Sequence, residues 1–257
     1  MKRIHLFEIE DQKWIPAFLR NLATDFLQFG ANKFDIYKGI IPIIEKGMKL
    51  AESEKINDLG SGGGGGWPKI IEHLRVNNPN IKVTLSDFYP NLEAFEFVKN
   101  NNPEIDFIPE PVDALNYKLD ENSLKTMFLS FHHFKPNDAK QILQNTINNK
   151  SVLLIAESQD RSLPSLLAMF FSPISLWLMT PMISPFSILR IIFTYLIPIL
   201  PLFVWWDGIV SSLRTYSKSD LEELIKEVNE SDTYEWEMGE TKSGPIINHY
   251  LLTYPKK

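Results

Sequence analysis

The sequence predicts an α/β fold in which helices cover both faces of a doubly wound parallel sheet. An apolar run ending at Asp58 leads into a glycine-rich turn, residues 60–66, and then into helically spaced apolar residues up to Leu74. From residue 81 to residue 156, short apolar runs alternate with amphipathic segments. The chain has 257 residues, of which 44% are hydrophobic and 23% charged, so it is long enough to bury such a sheet.

Composition excludes several kinds of function. A formal net charge of −6 gives no support for nucleic-acid binding by a basic surface. The absence of cysteine excludes disulfides, thiolate zinc sites and a cysteine nucleophile, and it is compatible with a reducing compartment. Met1–His5 is soon followed by the acids Glu8, Glu10 and Asp11 rather than by an apolar segment. We therefore expect no secretory signal, no nucleic-acid partner and a cytoplasmic location.

The first fifty residues are predicted to be helical. Within residues 3–50, apolar side chains from Trp14 to Leu27 recur at steps of three and four, and a second helix is expected from Phe34 to Ala51. This pattern predicts a helical N-terminal cap, residues 1–52, ahead of an α/β domain over residues 53–257. The remaining predicted elements are strand Ile81–Ser86, helix Asn91–Asn100, strand Ile105–Ile108, strand Thr126–Ser130, helix Asn137–Asn148, strand Ser151–Ala156, a helix opening at Ser217, and antiparallel strands Tyr234–Gly239 and Asn248–Tyr254.

The glycine pattern fits two kinds of cofactor site. Gly60-x-Gly62-x-x-Gly65 matches the dinucleotide fingerprint, whereas Asp58-x-Gly60-x-Gly62-x-Gly64 matches the first motif of S-adenosylmethionine methyltransferases. In either case glycine lets the backbone approach a ligand, and the following helix offers free N–H groups. A flexible linker is the alternative, but a linker is not expected between an apolar strand and a helix.

Three acids favour the S-adenosylmethionine motif. Asp58, two residues before the first glycine, can accept a hydrogen bond from a cofactor ammonium group, which a nicotinamide pyrophosphate does not offer there. Asp87 ends the next predicted strand, where a carboxylate can accept both ribose hydroxyls. Asp113 follows the third strand, where an acid can accept from the adenine amino group. Each acid alone would be a solvated loop residue; their joint placement carries the indication.

In this order the motifs resemble those of class I S-adenosylmethionine-dependent methyltransferases, roughly from Lys55 to Ala156. The resemblance implies a Rossmann-like, seven-stranded sheet with S-adenosylmethionine as cofactor. It implies contacts from Asp58, Gly60, Ser61, Gly62 and Gly64 to the methionine part, from Asp87 and Phe88 to the ribose, from Asp113 and Ala114 to the adenine, and from Ser130 and Phe131 beside the transferred methyl. The Asn/Asp-Pro-Pro-Tyr signature of some nitrogen-methylating members is replaced by Phe131–Phe134, a pattern similar to that of uncharacterised bacterial methyltransferases.

Three residues are candidates for catalysis. His132 and His133 follow the fourth strand, and either could accept a proton from the methyl acceptor because histidine titrates near neutrality. The alternative is that one packs at the sheet edge and the other is solvated. Glu157, at the end of the fifth strand, is a second candidate base or an orienting group. We predict no metal, because no His, Glu or Asp cluster has convincing ligand spacing in the sequence.

Residues 163–206 form an apolar helical insertion in which Arg190 is the only charged residue and six prolines interrupt the chain. A transmembrane hairpin, a re-entrant hairpin and a soluble lid over an apolar acceptor pocket all fit, as do buried helices without such a role. A single crossing is excluded, because strands on both sides of the insertion must join one sheet. Just beyond it, Asp207 and Arg214 could form a pair.

The leading hypothesis is therefore a methyltransferase that uses S-adenosylmethionine and acts on an apolar small molecule or lipid-like acceptor, with membrane contact through residues 163–206. The alternatives are a non-enzymatic, membrane-associated protein that binds the cofactor and, less favoured, a nicotinamide-dependent reductase.

Overall fold

A twisted sheet organises the chain in the computed structural model, which describes residues 1–116 and 122–256. Within these ranges the sheet has seven strands in the order β3-β2-β1-β4-β5-β7-β6, and only β7 runs antiparallel to its neighbours. The strands are β1 (Lys55–Leu59), β2 (Lys82–Ser86), β3 (Ile105–Phe107), β4 (Leu124–Phe128), β5 (Val152–Glu157), β6 (Tyr234–Ser243) and β7 (Ile246–Pro255). The predicted doubly wound, Rossmann-like sheet of seven strands is confirmed.

The strand order reverses between β1 and β4, which lie side by side in the middle of the sheet. From β1 the chain moves outward to β2 and β3, and it then returns to place β4 on the other side of β1. In open sheets of this type, ligands bind outside the carboxyl ends of the strands at this reversal. β4 begins two residues earlier than predicted because Leu124 already pairs with Ile56 and Val152.

Helices cover both faces of the sheet. Side chains of α2, α3 and α4 form one buried apolar cluster against the sheet, and side chains of α5 and α10 form another on the opposite face. Because each helix buries one apolar stripe, the two clusters account for the alternating sequence pattern. The helices are α1 (Ala17–Lys33), α2 (Ile41–Leu50), α3 (Trp67–Leu74), α4 (Leu92–Asn101), α5 (Pro136–Asn148), α6 (Leu163–Phe170), α7 (Ser172–Met179), α8 (Ile188–Ile191), α9 (Ile199–Arg214) and α10 (Lys218–Lys226).

The N-terminal residues differ from the prediction. Residues 1–16 contain no helix; they form an irregular segment with turns over residues 9–15, called here the N-terminal arm, and α1 begins only after Pro16. Proline disfavours helical backbone in the residue before it, so the apolar spacing that starts at Trp14 could not continue one helix through Pro16. Trp14 is 71% exposed in consequence.

The second helix also starts later than predicted. The chain turns through residues 34–37, where Asp35 has a positive φ of 48°, and a 3₁₀ turn over Lys38–Ile40 leads into α2. Ile40, Ile44 and Met48 then pack in the same cluster as the sheet. The domain boundary at residue 52 stays a prediction.

The apolar insertion packs on α1 rather than on the sheet. Leu19 and Phe26 of α1 share a buried cluster with Leu176, Leu200 and Phe203 of the insertion. The insertion's single charged side chain, Arg190, is 2% exposed and pairs with Asp25 of α1 at 2.6 Å. After α9 the chain returns through α10 to β6 and β7, so strands on both sides of the insertion belong to one sheet as predicted.

No individual helix in the described part of the chain is both long and apolar enough to cross a bilayer. Two bent helix pairs reach that length and composition only when their halves are taken together. They are Leu163–Phe170 with Ser172–Met182, bent by 44°, and Ile188–Leu196 with Ile199–Arg214, bent by 81°.

The contact between the 3₁₀ turn and β6 generates a stability prediction. A Cβ added at Gly39 would lie 2.8 Å from the backbone carbonyl carbon of Lys242, whereas a Cβ at Gly30 in α1 meets nothing within 4 Å. Gly39→Ala should therefore lower the free energy of unfolding by about 1–3 kcal/mol. Gly30→Ala should raise it by about 0.4–1 kcal/mol, because alanine restricts the unfolded chain. Urea denaturation measures both; equal effects of the two substitutions would contradict the packing described here.

Candidate functional site

A cleft of about 510 Å³ opens above the carboxyl ends of β1, β2 and β4. Its floor is the glycine-rich turn after β1, and its walls come from α1, from the loops after β2 and β3, and from the turn after β4. The N-terminal arm closes one side with Glu10, Asp11 and Lys13. The cleft thus occupies the strand-order reversal, where a ligand is expected in this type of sheet.

The glycine-rich turn requires its glycines for two physical reasons. Gly60, Gly62, Gly64 and Gly65 all have positive φ, a backbone conformation that strains other residues. In addition, a Cβ at Gly60 would lie 2.8 Å from the Cβ of Ser130. Gly60 and Gly62 line the cleft as predicted, whereas Gly64 does not, because it faces the core.

Asp58 is the most deeply set acid of the cleft. It is 2% exposed, and its Oδ1 accepts a hydrogen bond from Thr126 Oγ1 at 2.6 Å, while its Oδ2 accepts one from Ser61 Oγ at 2.7 Å. Burial raises the pKa of Asp58 to about 6; the hydroxyls oppose that shift, and the neighbouring Asp87 adds to it. Each carboxylate oxygen keeps a second lone pair with which it can bind a ligand cation.

Asp87 joins the loop after β2 to the glycine-rich turn. Its Oδ2 accepts from the backbone N–H of Gly62 at 2.7 Å, and its Oδ1 accepts from the backbone N–H of Tyr89 at 2.8 Å. Phe88, next to it, is 48% exposed and lines the same cleft, with its ring edge-on to Tyr89. The predicted ribose-binding pair therefore lies at the cleft, and the carboxylate is fixed by backbone donors.

The predicted adenine-binding residues lie at the far end of the cleft. Asp113 and Ala114 both line it. Asp113 accepts from the backbone N–H of Leu115 at 2.9 Å and from the side-chain amide of Asn116 at 3.0 Å, which closes a tight turn after β3.

Of the two residues predicted to lie beside the methyl group, one lines the cleft and the other does not. Ser130 lines the cleft and donates from its hydroxyl to the carbonyl of Leu59 at 3.2 Å. Phe131 is 1% exposed and packs against Tyr216 in the core, with ring centroids 5.3 Å apart. Phe131 does not line the cleft because the 3₁₀ turn Phe131–His133 directs its ring inward.

Of the three candidate catalytic residues, one lines the cleft and two lie behind it. His132 is 2% exposed and lies behind the cleft, where its Nδ1 is 3.0 Å from Glu157 Oε2 and its backbone N–H donates to Glu157 Oε1 at 3.1 Å. Neither His132 nor Glu157 lines the cleft; His133 does. The rings of the two histidines are 4.4 Å apart, so His132 can position His133.

His133 is surrounded by acids of the N-terminal arm. Its Nδ1 lies 2.9 Å from Glu8 Oε2 and 2.9 Å from Asp11 Oδ1, and its Nε2 lies 3.4 Å from Glu10 Oε1. Burial opposes the charged imidazole, but the Glu8 and Asp11 carboxylates outweigh burial and raise the pKa of His133 well above its ordinary value. In this arrangement His133 is a proton donor rather than the predicted free base.

The arm itself contributes functional residues that the sequence did not identify. The Asp207 carboxylate accepts from the backbone N–H groups of Ile9 and Glu10 at 2.7 and 2.9 Å. Arg214 Nη1 lies 3.0 Å from Glu8 Oε1 and 2.7 Å from Asp11 Oδ2. In the structure as described, Asp207 and Arg214 thus bind the arm, and the pair suggested between them is not formed. Pro16 and the acid-rich run at residues 8–11 are the only sequence signs of this arm.

Burial and charge crowding affect the acids of the arm differently. Glu10 has its pKa raised to about 8, first by burial and then by the carboxylates of Glu8, Asp207 and Asp11. Asp207 has its pKa raised to about 7, again first by burial. Asp11 is only partly buried, and His133 and Arg214 hold its pKa below its ordinary value.

Comparisons with known proteins identify the fold. No protein-family model matches the sequence, and no curated protein matches it. Among solved structures, an O-methyltransferase family 2 protein from Planctomyces limnophilus, in complex with apigenin, matches with a TM-score of 0.56 at 11% identity, over 92% of this chain and 62% of that one. Human N-acetylserotonin methyltransferase, in complex with S-adenosylmethionine, matches with a TM-score of 0.51 at 15% identity, over 100% of this chain and 63% of that one.

The chain spans less than two thirds of the length of either of these proteins. The likeness to the Planctomyces limnophilus protein covers 92% of this chain, and it agrees with the motifs quoted from the sequence. The chain therefore has the fold of the class I S-adenosylmethionine-dependent methyltransferases.

Proposed function

We propose that the chain is an S-adenosylmethionine-dependent methyltransferase that acts on an apolar small molecule or lipid-like acceptor. The observation that carries the proposal is the convergence of Asp58, Asp87 and Asp113 on one cleft at the reversal of strand order. Three acids from three successive strand ends match the three polar parts of this cofactor, and their order along the cleft follows the order of the strands.

The cleft fits the cofactor physically. Asp58 offers a buried carboxylate for the ammonium group, and no cationic side chain competes for it among the partners named above. Both oxygens of Asp87 keep a lone pair for two ribose hydroxyls after their backbone bonds are counted. Gly62 and Gly63 both line the cleft, and a Cβ at Gly63 would lie 3.2 Å from the backbone of Thr24, so glycine lets α1 and the turn approach each other there.

When bound, the cofactor would supply a methyl group on a sulfonium, which is transferred by in-line displacement. The residues of the chain would contribute alignment and exclusion of water. Phe88 and Phe134 give the cleft apolar wall area, and Ser130 lies at the end of β4. Of the three predicted catalytic residues, only His133 can meet an acceptor directly; His132 and Glu157 would act through it.

The surface of the insertion supports an apolar acceptor taken from a membrane. Its exposed side chains form what we call the apolar face, and Arg190, the only charge between residues 163 and 206, is buried. Many exposed large apolar side chains in one uncharged segment are typical of a surface that binds a protein or a membrane. The members of the apolar face that are at least 50% exposed are Leu163, Phe170, Phe171, Ile174, Leu178, Met182, Phe186, Ile188, Leu196 and Leu202.

A bilayer surface is the proposed partner of the apolar face. Trp177 and Tyr195, which are 45% and 47% exposed, are the residue types that settle at the membrane–water boundary. The bends of 44° and 81° in the two apolar helix pairs suit helices that lie in the boundary. One side of α1 packs on the insertion while its other side lines the cleft, so an acceptor leaving the membrane would have a short path.

Cofactor binding is tested by calorimetric titration with S-adenosylmethionine and with NAD(P) at pH 7 and pH 5. We expect S-adenosylmethionine to bind and NAD(P) not to bind. Because the pKa of Asp58 is raised to about 6, its carboxylate is ionised at pH 7 and mostly protonated at pH 5. The ammonium group of the cofactor then loses its partner, and the Kd should rise about tenfold between pH 7 and pH 5.

Asp58→Asn should weaken binding about tenfold to a hundredfold at pH 7, since a charge-assisted hydrogen bond is lost, and should remove most of the pH dependence. Asp106→Asn, at an exposed acid of β3 that pairs with Lys99, is the matched control and should leave the Kd unchanged. Tight NAD(P) binding without S-adenosylmethionine binding would overturn the proposal in favour of a reductase.

Membrane contact is tested by flotation with phosphatidylcholine vesicles. The full-length protein should float with the vesicles, and the triple variant Leu178→Asp, Phe186→Asp, Leu196→Asp should lose at least about a hundredfold in partitioning, because three large apolar contacts are replaced by charges. These side chains are 72%, 76% and 76% exposed, so the substitutions leave the buried clusters intact.

Val76→Asp is the control for the flotation assay, since Val76 is 78% exposed in the turn after α3, outside the insertion. It should float like the wild type. Equal flotation of the triple variant, or concentration-dependent dimerisation that the triple variant alone abolishes, would contradict the membrane contact.

A further inference from the structure

The turn after β4 and the N-terminal arm bring together three side chains with metal-ligating atoms. One atom each from Glu8, His132 and His133 lie within 4.8 Å of one another, and the first two residues are fully or almost fully buried. Glu8 is remote in sequence from the histidines, and the sequence therefore predicted no metal. The folded arm creates the cluster.

The hydrogen bonding of His132 leaves one ring nitrogen free. Its Nδ1 is 3.0 Å from the Glu157 carboxylate, so the ring proton belongs on Nδ1 and Nε2 carries a lone pair. That Nε2 faces Glu8 Oε1 at 3.8 Å, too far for a hydrogen bond. A carboxylate that orients a histidine through its other nitrogen is the usual support of a metal-ligating imidazole.

Glu8 is incompletely satisfied. Its side chain is 0% exposed, and neither of its oxygens accepts a hydrogen bond of adequate geometry, although His133 Nδ1 and Arg214 Nη1 lie at 2.9 and 3.0 Å. His133 Nδ1 also lies 2.9 Å from Asp11 Oδ1, and a single N–H cannot serve both acids well. Both cationic partners of Glu8 are shared with Asp11, so the buried Glu8 carboxylate keeps oxygen lone pairs without a well-placed donor, which indicates a binding position for a further cation.

The local charges agree with this indication. Five carboxylates and two arginines, Arg214 and Arg3, surround the pair of histidines, so carboxylates outnumber guanidinium groups in the region. The Arg3 guanidinium, moreover, donates hydrogen bonds to the backbone carbonyls of His132 and Phe134. The five carboxylates are those of Glu8, Glu10, Asp11, Glu157 and Asp207.

We propose that Glu8, His132 Nε2 and His133 Nδ1 bind one divalent transition-metal ion, with Asp11 as a fourth ligand and Glu157 orienting His132; the ion takes the place of the Nδ1 proton that His133 holds toward Glu8 and Asp11, and that proton is released to solvent. Two imidazoles with carboxylates suit zinc or ferrous iron, whereas magnesium and calcium prefer oxygen ligands alone. Ligand atoms about 2.0–2.1 Å from a tetrahedral zinc ion lie roughly 3.3 Å from each other. Glu8 Oε2 lies 2.9 Å from His133 Nδ1 and Glu8 Oε1 lies 3.8 Å from His132 Nε2, on either side of that value.

The ion would also fasten the arm. Glu8 belongs to the arm and the histidines belong to the turn after β4, so one ion would link two segments that both line the cleft nearby. Glu10 and Asp11, next to Glu8 in the chain, are part of that lining. The proposed metal ion therefore has a structural role, in which it holds the arm in place as a wall of the cleft. Its binding does not depend on the cofactor.

The test uses the full-length protein, stripped with a chelator and titrated with Zn²⁺ by calorimetry and with Co²⁺ by visible absorption. We expect one equivalent of Zn²⁺ to bind with submicromolar affinity, and Co²⁺ to give the intense visible bands of four-coordinate, nitrogen-ligated cobalt. Glu8→Gln and His133→Asn should each weaken binding about a hundredfold or more, since each removes a ligand. His73→Asn, at a histidine paired with Asp35 on α3, should leave the affinity unchanged.

Far-UV circular dichroism establishes that each variant is folded. If Glu8→Gln does not fold, the affinity of His133→Asn and the cobalt spectrum of the wild type test the proposed metal site. Binding of less than one equivalent by the wild type, the weak spectrum of octahedral aqueous cobalt, or unchanged affinity in folded variants would overturn the proposal. Because no S-adenosylmethionine is present, these outcomes leave the proposed methyl transfer unaffected.

Discussion

The hydrogen bonds of the Asp58 carboxylate hold the centre of the molecule together. Thr126 Oγ1 reaches it from β4 and Ser61 Oγ reaches it from the glycine-rich turn, at 2.6 and 2.7 Å. These bonds therefore connect β1 and β4, the two strands at the reversal of strand order, with the glycine-rich turn that follows β1. A buried carboxylate is costly unless donors surround it, so the position of Asp58 commits Ser61 and Thr126 to this geometry. The cleft is the space left above it.

The N-terminal arm gives the cleft its second wall and makes the protein more than a sheet with a glycine-rich turn. Asp207 and Arg214, both on α9, bind the arm from the side of the insertion, and His133 binds it from the side of the sheet. The insertion is thereby tied to the cleft through charge as well as through the apolar cluster on α1. The proposed ion would also bind at this arm, through Glu8.

The sequence predicted what depends on near neighbours in the chain. Strand and helix alternation, the glycine-rich turn and the acids at strand ends are local patterns, and the sheet confirms the fold they imply. The arm was missed because its partners, such as Arg214 for Glu8, lie at the other end of the chain. Phe131 was placed at the methyl group by resemblance, but a 3₁₀ turn points its ring into the core. Side-chain direction in an irregular turn does not follow from sequence spacing.

Methyl transfer itself is the central claim, and a labelled-methyl assay tests it most directly. The purified protein is incubated with S-adenosylmethionine carrying a labelled methyl group and with a native lysate separated into membrane lipid, small-molecule and macromolecular fractions. We expect the label to appear in an apolar acceptor from the lipid or small-molecule fraction, and we expect no labelled acceptor with heat-treated protein. Binding of S-adenosylmethionine with no label in any fraction would contradict methyl transfer and would indicate a cofactor-binding protein without this activity.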